Sequence, residues 1–471
     1  MVTENYDFVV IGAGSGGLTA AEFAAQLGVK VALVEKGRIG GDCTWTGCVP
    51  SKALLHVAKM AHHVRTADRF GVITSLPEVN MTQVRAYLQR AINTVYQQET
   101  AEILAGKGID VVEGVARFLD PHTIQAGERT LKAGKVLITT GARPFIPPIP
   151  GIEEVPYVTH EQLFDNERLP QRLLVLGAGP IGMEAAQAYR RLGARVTIVD
   201  VDLLPREEPE ASAVMKRVFA REGVECVIGL ASAVTRKGGE ILLTVNDQQI
   251  RGDMLLVAVG RRPHVEGLAL DKAGVTYTAR DGIRIDRHGR TSARHIYAAG
   301  DCVGGHQFTH FAGWQAFQAA RNALLPGSDP CHSDIVPWVT FTDPEVAHVG
   351  LTAMAARKEH GASVRVTLRE IGQIDRAITD GVRDGFIKLV HGKRGKLLGA
   401  TIVAPNAGEM IAEFATAMQH GLKIDDLARV IHVYPTFSMG VQQAAYEVAT
   451  NDFIASTTGK LVRLLVGNKA K

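Results

Sequence analysis

The sequence predicts an α/β protein in which two similar strand–loop–helix–strand units precede a region of α+β pattern. An apolar run leads into a glycine-rich loop at residues 8–17, and the same arrangement recurs at residues 173–182. After residue 336 short strand-like runs alternate with helical stretches, which is typical of an α+β domain.

The first unit carries a complete dinucleotide-binding fingerprint. Its parts are an apolar strand at residues 8–11, the glycines Gly12, Gly14 and Gly17, a helical stretch at 18–27, a strand at 31–34 and Glu35. The first glycine makes the tight turn, the second lets the backbone approach a pyrophosphate, and the third lets helix and strand pack closely. The acid that ends the second strand is placed to accept hydrogen bonds from a ribose. This order of elements predicts a Rossmann-type domain.

The second unit repeats the fingerprint. Its parts are a strand at residues 173–176, Gly177, Gly179 and Gly182, a helix through Tyr189, a strand at 196–199 and Asp200. Two complete fingerprints predict two bound dinucleotides, with electrons passing between them. The alternative is a duplicated fold in which one site is inactive. Three further residues are included in the predicted cofactor sites, namely Gly141, Val234 and Gly260.

The turn and linker signals divide the chain into three predicted domains. Residues 1–150 form the first domain, which is completed by residues 271–335, where a strand runs into Gly300-Asp301. Residues 151–270 form the second domain, inserted between those two parts. Residues 336–471 form the α+β domain, with strands expected at 338–341, 385–390 and 397–403 and helices at 409–420 and 424–428.

Cys43 and Cys48 form the most informative local pattern. Four residues lie between them, and Pro50, Ser51 and Lys52 follow. A pair this close constrains the unfolded chain only weakly, so redox chemistry explains it better than stability does. The helix-forming stretch that follows places the pair near a helix start, where the helix dipole and Lys52 favour thiolate. The alternative is two unpaired buried thiols, which is how we interpret the other cysteines, Cys226, Cys302 and Cys331.

The composition and charge of the sequence argue against several classes of protein. A formal charge of +3 over 471 residues does not indicate a nucleic-acid surface. No apolar run approaches the length that spans a bilayer. The first strand begins almost at Met1, which leaves no room for a secretory signal. We therefore expect a cytoplasmic protein.

These motifs resemble the pyridine nucleotide–disulfide oxidoreductases, the family of glutathione reductase, dihydrolipoamide dehydrogenase and mercuric reductase. The resemblance covers essentially the whole chain. It depends on the segment Cys-x4-Cys-Val-Pro-Ser-Lys, on both fingerprints, on Gly300-Asp301, and on the segments at residues 341–346 and 349–352. It implies an FAD domain, an NAD domain and a C-terminal dimerisation domain, and hence a homodimer.

The resemblance also implies roles for individual residues. FAD would occupy the first site, with Glu35 on the adenosine ribose, Gly114 or Ala116 near the adenine, Asp301 on the ribityl chain and Thr309 near the flavin ring. Cys48 would be the flavin-facing thiolate, and Cys43 the more exposed interchange thiol that meets the substrate. Lys52 would pair with Glu184 beside the flavin and the nicotinamide.

The choice of nicotinamide nucleotide depends on Asp200. A carboxylate at the end of the second strand accepts from the ribose 2′-hydroxyl and repels a 2′-phosphate. Gly182, where glutathione reductase has the alanine of an NADP-type fingerprint, agrees with that choice. The sequence therefore favours NADH, with NADPH as the alternative.

The sequence departs from the family pattern near residue 434. Disulfide-reducing members have a His directly before Pro, supported by a Glu, as acid/base for the thiols. Here Tyr434 stands before Pro435, and Met439 occupies the Glu position. Free Tyr titrates near 10 and free His near 6.5, so efficient turnover of lipoamide or glutathione is not expected. His432 is the candidate substitute base, and the alternative is a packed or solvent-facing histidine.

Mercuric reductase also has a Tyr in this region, which is intelligible because thiolates bind a soft metal ion without delivering a proton. Its C-terminal cysteine pair and its N-terminal Cys-x-x-Cys domain have no counterpart in this sequence. We therefore expect a mercuric-reductase-like enzyme with a small molecule or metal ion as acceptor. The alternatives are a dihydrolipoamide dehydrogenase or other disulfide reductase with an unusual base, and a redox-responsive flavoprotein that acts through a partner. No resident metal site is expected.

Overall fold

The computed structural model describes residues 3–467. Its strands, numbered in chain order, are β1 (Thr3–Ile11), β2 (Val31–Glu35), β3 (Ile109–Glu113), β4 (Ala116–Asp120), β5 (Thr123–Ala126), β6 (Arg129–Ile138), β7 (Ala142–Pro144), β8 (Arg172–Leu176), β9 (Arg195–Asp200), β10 (Val224–Ile228), β11 (Ala231–Lys237), β12 (Glu240–Val245), β13 (Gln248–Gly252), β14 (Met254–Val257), β15 (Arg261–Pro263), β16 (Tyr277–Thr278), β17 (Gly282–Ile283), β18 (Ile296–Ala298), β19 (Trp338–Thr340), β20 (Glu345–Gly350), β21 (Arg365–Glu370), β22 (Phe386–His391) and β23 (Leu397–Ala404).

The α-helices, numbered in the same way, are α1 (Ser15–Gln26), α2 (Gly41–Trp45), α3 (Cys48–Arg65), α4 (Met81–Tyr96), α5 (Ala101–Gly106), α6 (His160–Leu163), α7 (Pro180–Leu192), α8 (Pro209–Glu222), α9 (Thr309–Leu324), α10 (Ala353–His360), α11 (Asp375–Thr379), α12 (Ala407–Gln419), α13 (Ile424–Ala428), α14 (Met439–Ala455) and α15 (Thr457–Gly467). No helix within residues 3–467 combines the length and the apolar character that crossing a membrane requires.

The chain divides into two compact units. The first contains the residues up to Asp200 together with Gly229–Ser333, and the second contains Val201–Ile228 and the residues from Asp334 onward. The boundaries of the three domains expected from the sequence stay predictions.

The main sheet of the first unit has the order β3-β2-β1-β6-β5-β4, with β18 also paired to β6. The pairs β1–β2, β1–β6, β2–β3 and β6–β18 are parallel. Strands β4 and β5 extend the sheet as an antiparallel hairpin, in which β5 pairs antiparallel with β6. Val9 and Val10 have no exposed surface although they point to opposite faces of β1. Burial on both faces is what the continuous apolar run predicted.

The second glycine loop of this unit follows β8, which pairs in parallel with β9 and with β14. Pro180 occupies the first turn of α7, where its missing N–H costs no helical hydrogen bond, and the helix ends at Gly193 with φ +121°. Strands β11, β12 and β13 form an antiparallel meander. The two strand–loop–helix–strand units expected from the sequence are therefore present.

The second unit is built around the sheet β19-β20-β23-β22-β21, whose pairs are all antiparallel. Helices α12 and α14 cover it with fully buried side chains that include Phe414 and Val441. The sequence predicted β19, β22, β23, α12 and α13 to within two residues at each end. It did not predict β20, β21 or α14. Strands β20 and β21 are determined by their antiparallel pairing with β23 and β22 rather than by a pattern of their own.

Candidate active site

The two glycine loops are closely packed, and the second one has open space where a dinucleotide is expected. A Cβ on Gly17 would lie 1.8 Å from the Gly12 carbonyl oxygen, and one on Gly182 would lie 1.8 Å from the Gly177 oxygen, so both positions exclude any side chain. A Cβ on Gly179, by contrast, meets no atom of the described chain within 4 Å. This open side faces the start of α7, where backbone N–H groups favour a phosphate.

The starts of α1 and α7 share the features of an anion site. Their N-caps are Gly14 and Gly179, neither start has a side-chain cap in the described structure, and neither first turn contains an acid. Gly12 and Gly177 have φ of +103° and +108°, which other residues rarely adopt. The residues present therefore fit two bound dinucleotides.

The two predicted ribose-binding acids occupy equivalent places. Glu35 ends β2, and its Oε2 accepts a hydrogen bond from the Ala13 backbone N–H at 2.7 Å. Asp200 ends β9, and its Oδ2 accepts from the Ala178 N–H at the same distance of 2.7 Å. Each carboxylate thus holds its own glycine loop from the edge of the sheet. Their roles toward a ribose stay predictions.

The other predicted cofactor residues lie in the first unit as well. Gly114 has φ +146° and donates to the Glu35 carbonyl oxygen at 2.8 Å, and the buried Ala116 starts β4. Gly141 and Gly260 lie beside the antiparallel pair β7–β15, and both have positive φ. Val234 is fully buried and packs its backbone against Pro150 and Gly151 rather than offering a side chain to a ligand. Asp301 is buried in the turn Gly300–Val303.

The structure brings the two cysteines together at the junction of two helices. Cys43 lies inside α2, and Cys48 is the first residue of α3. Both are free thiols in side-chain contact with each other. The Cys48 Sγ also lies 3.3 Å from the hydroxyl of Thr309, the first residue of α9. The first turn of α3 contains no acid, so the helix dipole favours a thiolate there.

The surroundings of the two thiols separate their pKa values. The hydrogen bond from Cys43 lowers the pKa of Cys48 to about 6, against the effect of burial and with support from Thr309 and Lys52. The pKa of Cys43 is raised, first by its contact with Cys48 and then by burial. Close to neutral pH the pair therefore carries one thiolate, on Cys48.

The two thiols differ in their exposure within the chain itself. Cys43, expected to be the more exposed thiol, is half-buried, whereas Cys48 is exposed. The reason is that Cys43 sits within α2, close to Ser15 and Thr309, while Cys48 opens a new helix. The remaining cysteines are also free thiols; Cys302 and Cys331 are buried and Cys226 is half-buried.

Lys52 and Glu184 lie beside the cysteines in the same unit. The Lys52 Nζ donates to the Glu184 Oε2 at 2.8 Å, with 37% of the lysine side chain and 9% of the glutamate side chain exposed. Lys52 is on α3, one turn after Cys48, and Glu184 is on α7 next to the second glycine loop. This ion pair connects the helix of the redox pair with the helix of the second nucleotide site.

Tyr434 and His432 belong to the second unit. Tyr434 is 66% exposed, and a hydrogen bond to Asp375 raises the pKa of its phenol. The side chain of His432 is only 7% exposed; its Nε2 lies 3.0 Å from the Glu413 Oε2 and its Nδ1 lies 3.1 Å from the Val430 oxygen. A His–Glu pair is therefore present, with its histidine two residues before the expected position and its glutamate on α12. The solvent-facing alternative for His432 is wrong.

Sequence reasoning missed several residues that the fold brings to these sites. Glu413, Asp375, Asp42 and Arg261 are all far in sequence from the groups that they contact. Only Asp42 carried a local signal, since it directly precedes Cys43. Within residues 3–467 no group of three or more His, Cys, Asp or Glu side chains is arranged to hold a metal ion.

The titration of Cys48 provides a first prediction. In the reduced protein, alkylation of Cys48 by iodoacetamide is expected to rise with pH through a midpoint near 6, because only the thiolate reacts. Lys52→Met is expected to move the midpoint to higher pH, since a cation that favours the thiolate is removed. Mass spectrometry of the Cys48 peptide measures the rate. A midpoint at or above 8 in the wild-type protein would contradict the prediction, and Lys59→Met on the same helix is the control.

Comparison with known proteins identifies the family. A profile described as pyridine nucleotide-disulphide oxidoreductase matches residues 6–320, and a profile of the dimerisation domain of that family matches residues 336–445. The chain belongs to the pyridine nucleotide–disulphide oxidoreductases. It is accordingly an FAD-dependent oxidoreductase of a family that uses a nicotinamide nucleotide, as the resemblance implied.

Its relatives within the family have two different activities. A mercuric reductase of Lysinibacillus sphaericus is 34% identical over 94% of this chain and 82% of the relative. A dihydrolipoyl dehydrogenase of Thermus scotoductus is 37% identical over 94% of this chain and 97% of the relative. Sequence identity therefore does not separate the two activities.

Solved structures of the family agree with this fold. The HOCl-induced flavoprotein disulfide reductase RclA from Escherichia coli has a TM-score of 0.85 and 28% identity, and covers 94% of this chain and 100% of that chain. LpdA from Mycobacterium tuberculosis has a TM-score of 0.86 and 30% identity, with coverage of 94% and 99%. The expected α/β fold with a C-terminal dimerisation domain is thereby confirmed.

Proposed function

We propose that this oxidoreductase passes two electrons from NADH, through FAD, to the Cys43–Cys48 pair and on to a small acceptor, with a thiol-binding soft metal ion as the favoured acceptor. We further propose that it works as a homodimer in the cytoplasm. The observation that carries the proposal is the contact between a low-pKa Cys48 and Cys43 beside the Lys52–Glu184 ion pair.

The thiols themselves favour a metal ion. A reduced pair offers two adjacent sulfurs, the ligand type that soft metal ions prefer. The low pKa of Cys48 keeps one of them deprotonated near neutral pH, so it binds without first losing a proton. FAD, when bound, supplies the two-electron link between the nicotinamide and the sulfurs.

Tyr434 supports the same acceptor class. A disulfide substrate leaves as a thiol and needs a proton, whereas a metal ion held by thiolates does not. Tyr434 occupies the place of the family's catalytic His, and its raised pKa makes it a poor base at neutral pH. The mercuric reductases among the relatives, and the solved Cu(II) complex of RclA, support this proposal.

The preference for NADH follows from Asp200. Its carboxylate ends β9 beside the second glycine loop, where it would repel the 2′-phosphate of NADPH. The carboxylate of Asp202 does not add an unpaired negative charge, because the Lys216 Nζ lies 2.7 Å from its Oδ1.

An anaerobic acceptor screen tests the function. With NADH as donor, Hg(II) buffered by a thiol is expected to give turnover at least about tenfold faster than lipoamide or oxidised glutathione. NADPH is expected to be the poorer donor in every arm. NADH oxidation is followed at 340 nm, with acceptor-free protein as the control. Faster turnover with either disulfide than with Hg(II) would contradict the proposal.

A second candidate, a disulfide reductase with an unusual base, is favoured by the His432–Glu413 pair. A histidine held by a carboxylate is the arrangement that general acid/base catalysis uses. The dihydrolipoyl dehydrogenase among the relatives supports the same class.

Two substitutions separate the candidates. Tyr434→His is expected to raise disulfide turnover, by roughly tenfold to a hundredfold, because it restores a base that titrates near neutral pH. If His432 is already the base, His432→Asn abolishes the residual disulfide turnover instead. Both are measured as kcat with lipoamide, and Tyr446→His, at a tyrosine that is 63% exposed, is the control. No gain from Tyr434→His would mean that the missing base does not limit turnover.

A further inference from the structure

A charged bridge connects the Cys43 helix with the acid predicted to bind FAD. Asp42, the residue before Cys43, accepts a hydrogen bond from one nitrogen of the Arg261 guanidinium. The other terminal nitrogen of Arg261 lies 2.9 Å from the Asp301 Oδ2. We refer to Asp42, Arg261 and Asp301 as the carboxylate bridge. All its members lie in the first unit.

The bridge is held from both ends. Arg261 starts β15, which pairs with β7, and its side chain is 20% exposed, whereas that of Asp301 is 11% exposed. At the other end the Asp42 carboxylate also accepts from the Thr46 hydroxyl at 3.0 Å and lies 3.4 Å from the His160 Nε2. A guanidinium shared by two carboxylates has a fixed geometry, because its donors form a planar fork.

The pKa values of the two carboxylates in the bridge depend on the charges around them. Burial raises the pKa of Asp42, but His160 and Arg261 outweigh it and hold that pKa below its ordinary value. Burial raises the pKa of Asp301, and Arg261 opposes the rise. Arg261 is thus the cation on which both carboxylates depend.

The helix that carries Cys43 needs such support. With five residues α2 is far too short to be stable by its own hydrogen bonds. Its position therefore depends on side-chain contacts, and the bridge is one of them. Others join the Thr44 hydroxyl to the Glu99 Oε2 at 3.2 Å and the Trp45 indole N–H to the Ile39 carbonyl oxygen at 2.7 Å.

We propose that Asp42 and Arg261 are positioning residues that hold α2 so that Cys43 meets Cys48, and that they thereby set the reduction potential of the pair. A closing disulfide is favoured when its sulfurs are held together and disfavoured when one of them moves away. The inference rests on the redox role proposed for Cys43 and Cys48 and is independent of the acceptor.

The test is an equilibrium of the FAD-loaded protein with glutathione buffers, under anaerobic conditions at pH 7. Two glutathione thiols are oxidised to their disulfide while the Cys43–Cys48 bond takes up two electrons and the accompanying protons. Asp42→Asn is expected to lower the equilibrium constant for disulfide formation about tenfold, which makes the potential about 30 mV less negative. Alkylation and mass spectrometry report the oxidised fraction.

A double-mutant cycle distinguishes the bridge from general loosening. Arg261→Gln, and Arg261→Lys as a variant that keeps the charge, are expected to give the same shift as Asp42→Asn, and Asp42→Asn combined with Arg261→Gln no larger one. Thr44→Val, which removes a hydrogen bond of α2 outside the bridge, is expected to give a clearly smaller shift than Asp42→Asn. Asp68→Asn, on the surface, is expected to leave the potential unchanged. Additive shifts, an equal shift from Thr44→Val, or a wild-type potential in Asp42→Asn would each overturn the inference. A pair that stays reduced in every buffer would instead refute the proposed function.

Discussion

Replacing either Cys43 or Cys48 by serine is expected to lower NADH-dependent acceptor turnover by at least about a thousandfold. The two thiols are in contact, and the pKa of Cys48 is lowered mainly by Cys43, so neither retains its chemistry without the other. A serine hydroxyl neither forms a disulfide nor binds a soft metal ion. The measurement is kcat/KM for Hg(II) and for lipoamide, using protein whose FAD content has been checked.

Cys226→Ser is the control for the loss of one thiol. Cys226 is half-buried in the second unit, where burial raises its pKa to about 11, so turnover is expected to stay at the wild-type level. Acceptor reduction that survives the loss of Cys43 or Cys48 would mean that electrons reach the acceptor without the sulfurs. Purified protein that has no flavin colour would refute the proposal that electrons pass through FAD to the cysteine pair.

Gly182→Ala and Gly179→Ala are expected to damage nicotinamide binding for different reasons. A Cβ on Gly182 would lie 1.8 Å from the Gly177 oxygen, so the loop and α7 must separate, at a cost of about 1–3 kcal/mol in the free energy of unfolding. A Cβ on Gly179 meets no described atom within 4 Å, so the stability should not change. The added methyl group would instead occupy the space expected for the pyrophosphate.

Both variants are therefore expected to weaken NADH binding at least about tenfold, but only Gly182→Ala lowers the melting temperature. Thermal unfolding and an NADH titration of the FAD-loaded protein measure the two effects. Gly106→Ala, at a site where a Cβ meets nothing within 4 Å and φ is not positive, controls for the substitution itself. Wild-type NADH affinity in Gly179→Ala would show that the second fingerprint does not hold the nucleotide.

The start of α1 shows how well a local sequence pattern predicts a helix boundary, and where such a pattern fails. The sequence placed the first helix at residue 18, whereas α1 begins at Ser15. Glycine has low helix propensity, so the loop glycines appeared to lie before the helix. Close packing decides otherwise, because Gly16 lies against α9 and Gly17 lies against the Gly12 carbonyl oxygen, so a side chain fits poorly at either position.

The sequence by itself determined the two nucleotide-binding loops, the acids that end their second strands and the cysteine pair at a helix start. Each of these is a requirement on neighbouring residues, such as a backbone that tolerates no side chain, and is therefore visible in a short segment. Only the tertiary structure decided that Cys48 contacts Thr309, that His432 pairs with Glu413, and that Arg261 joins Asp42 to Asp301. Those contacts join residues far apart in the chain, and their partners are chosen by how strands and helices pack rather than by any local pattern.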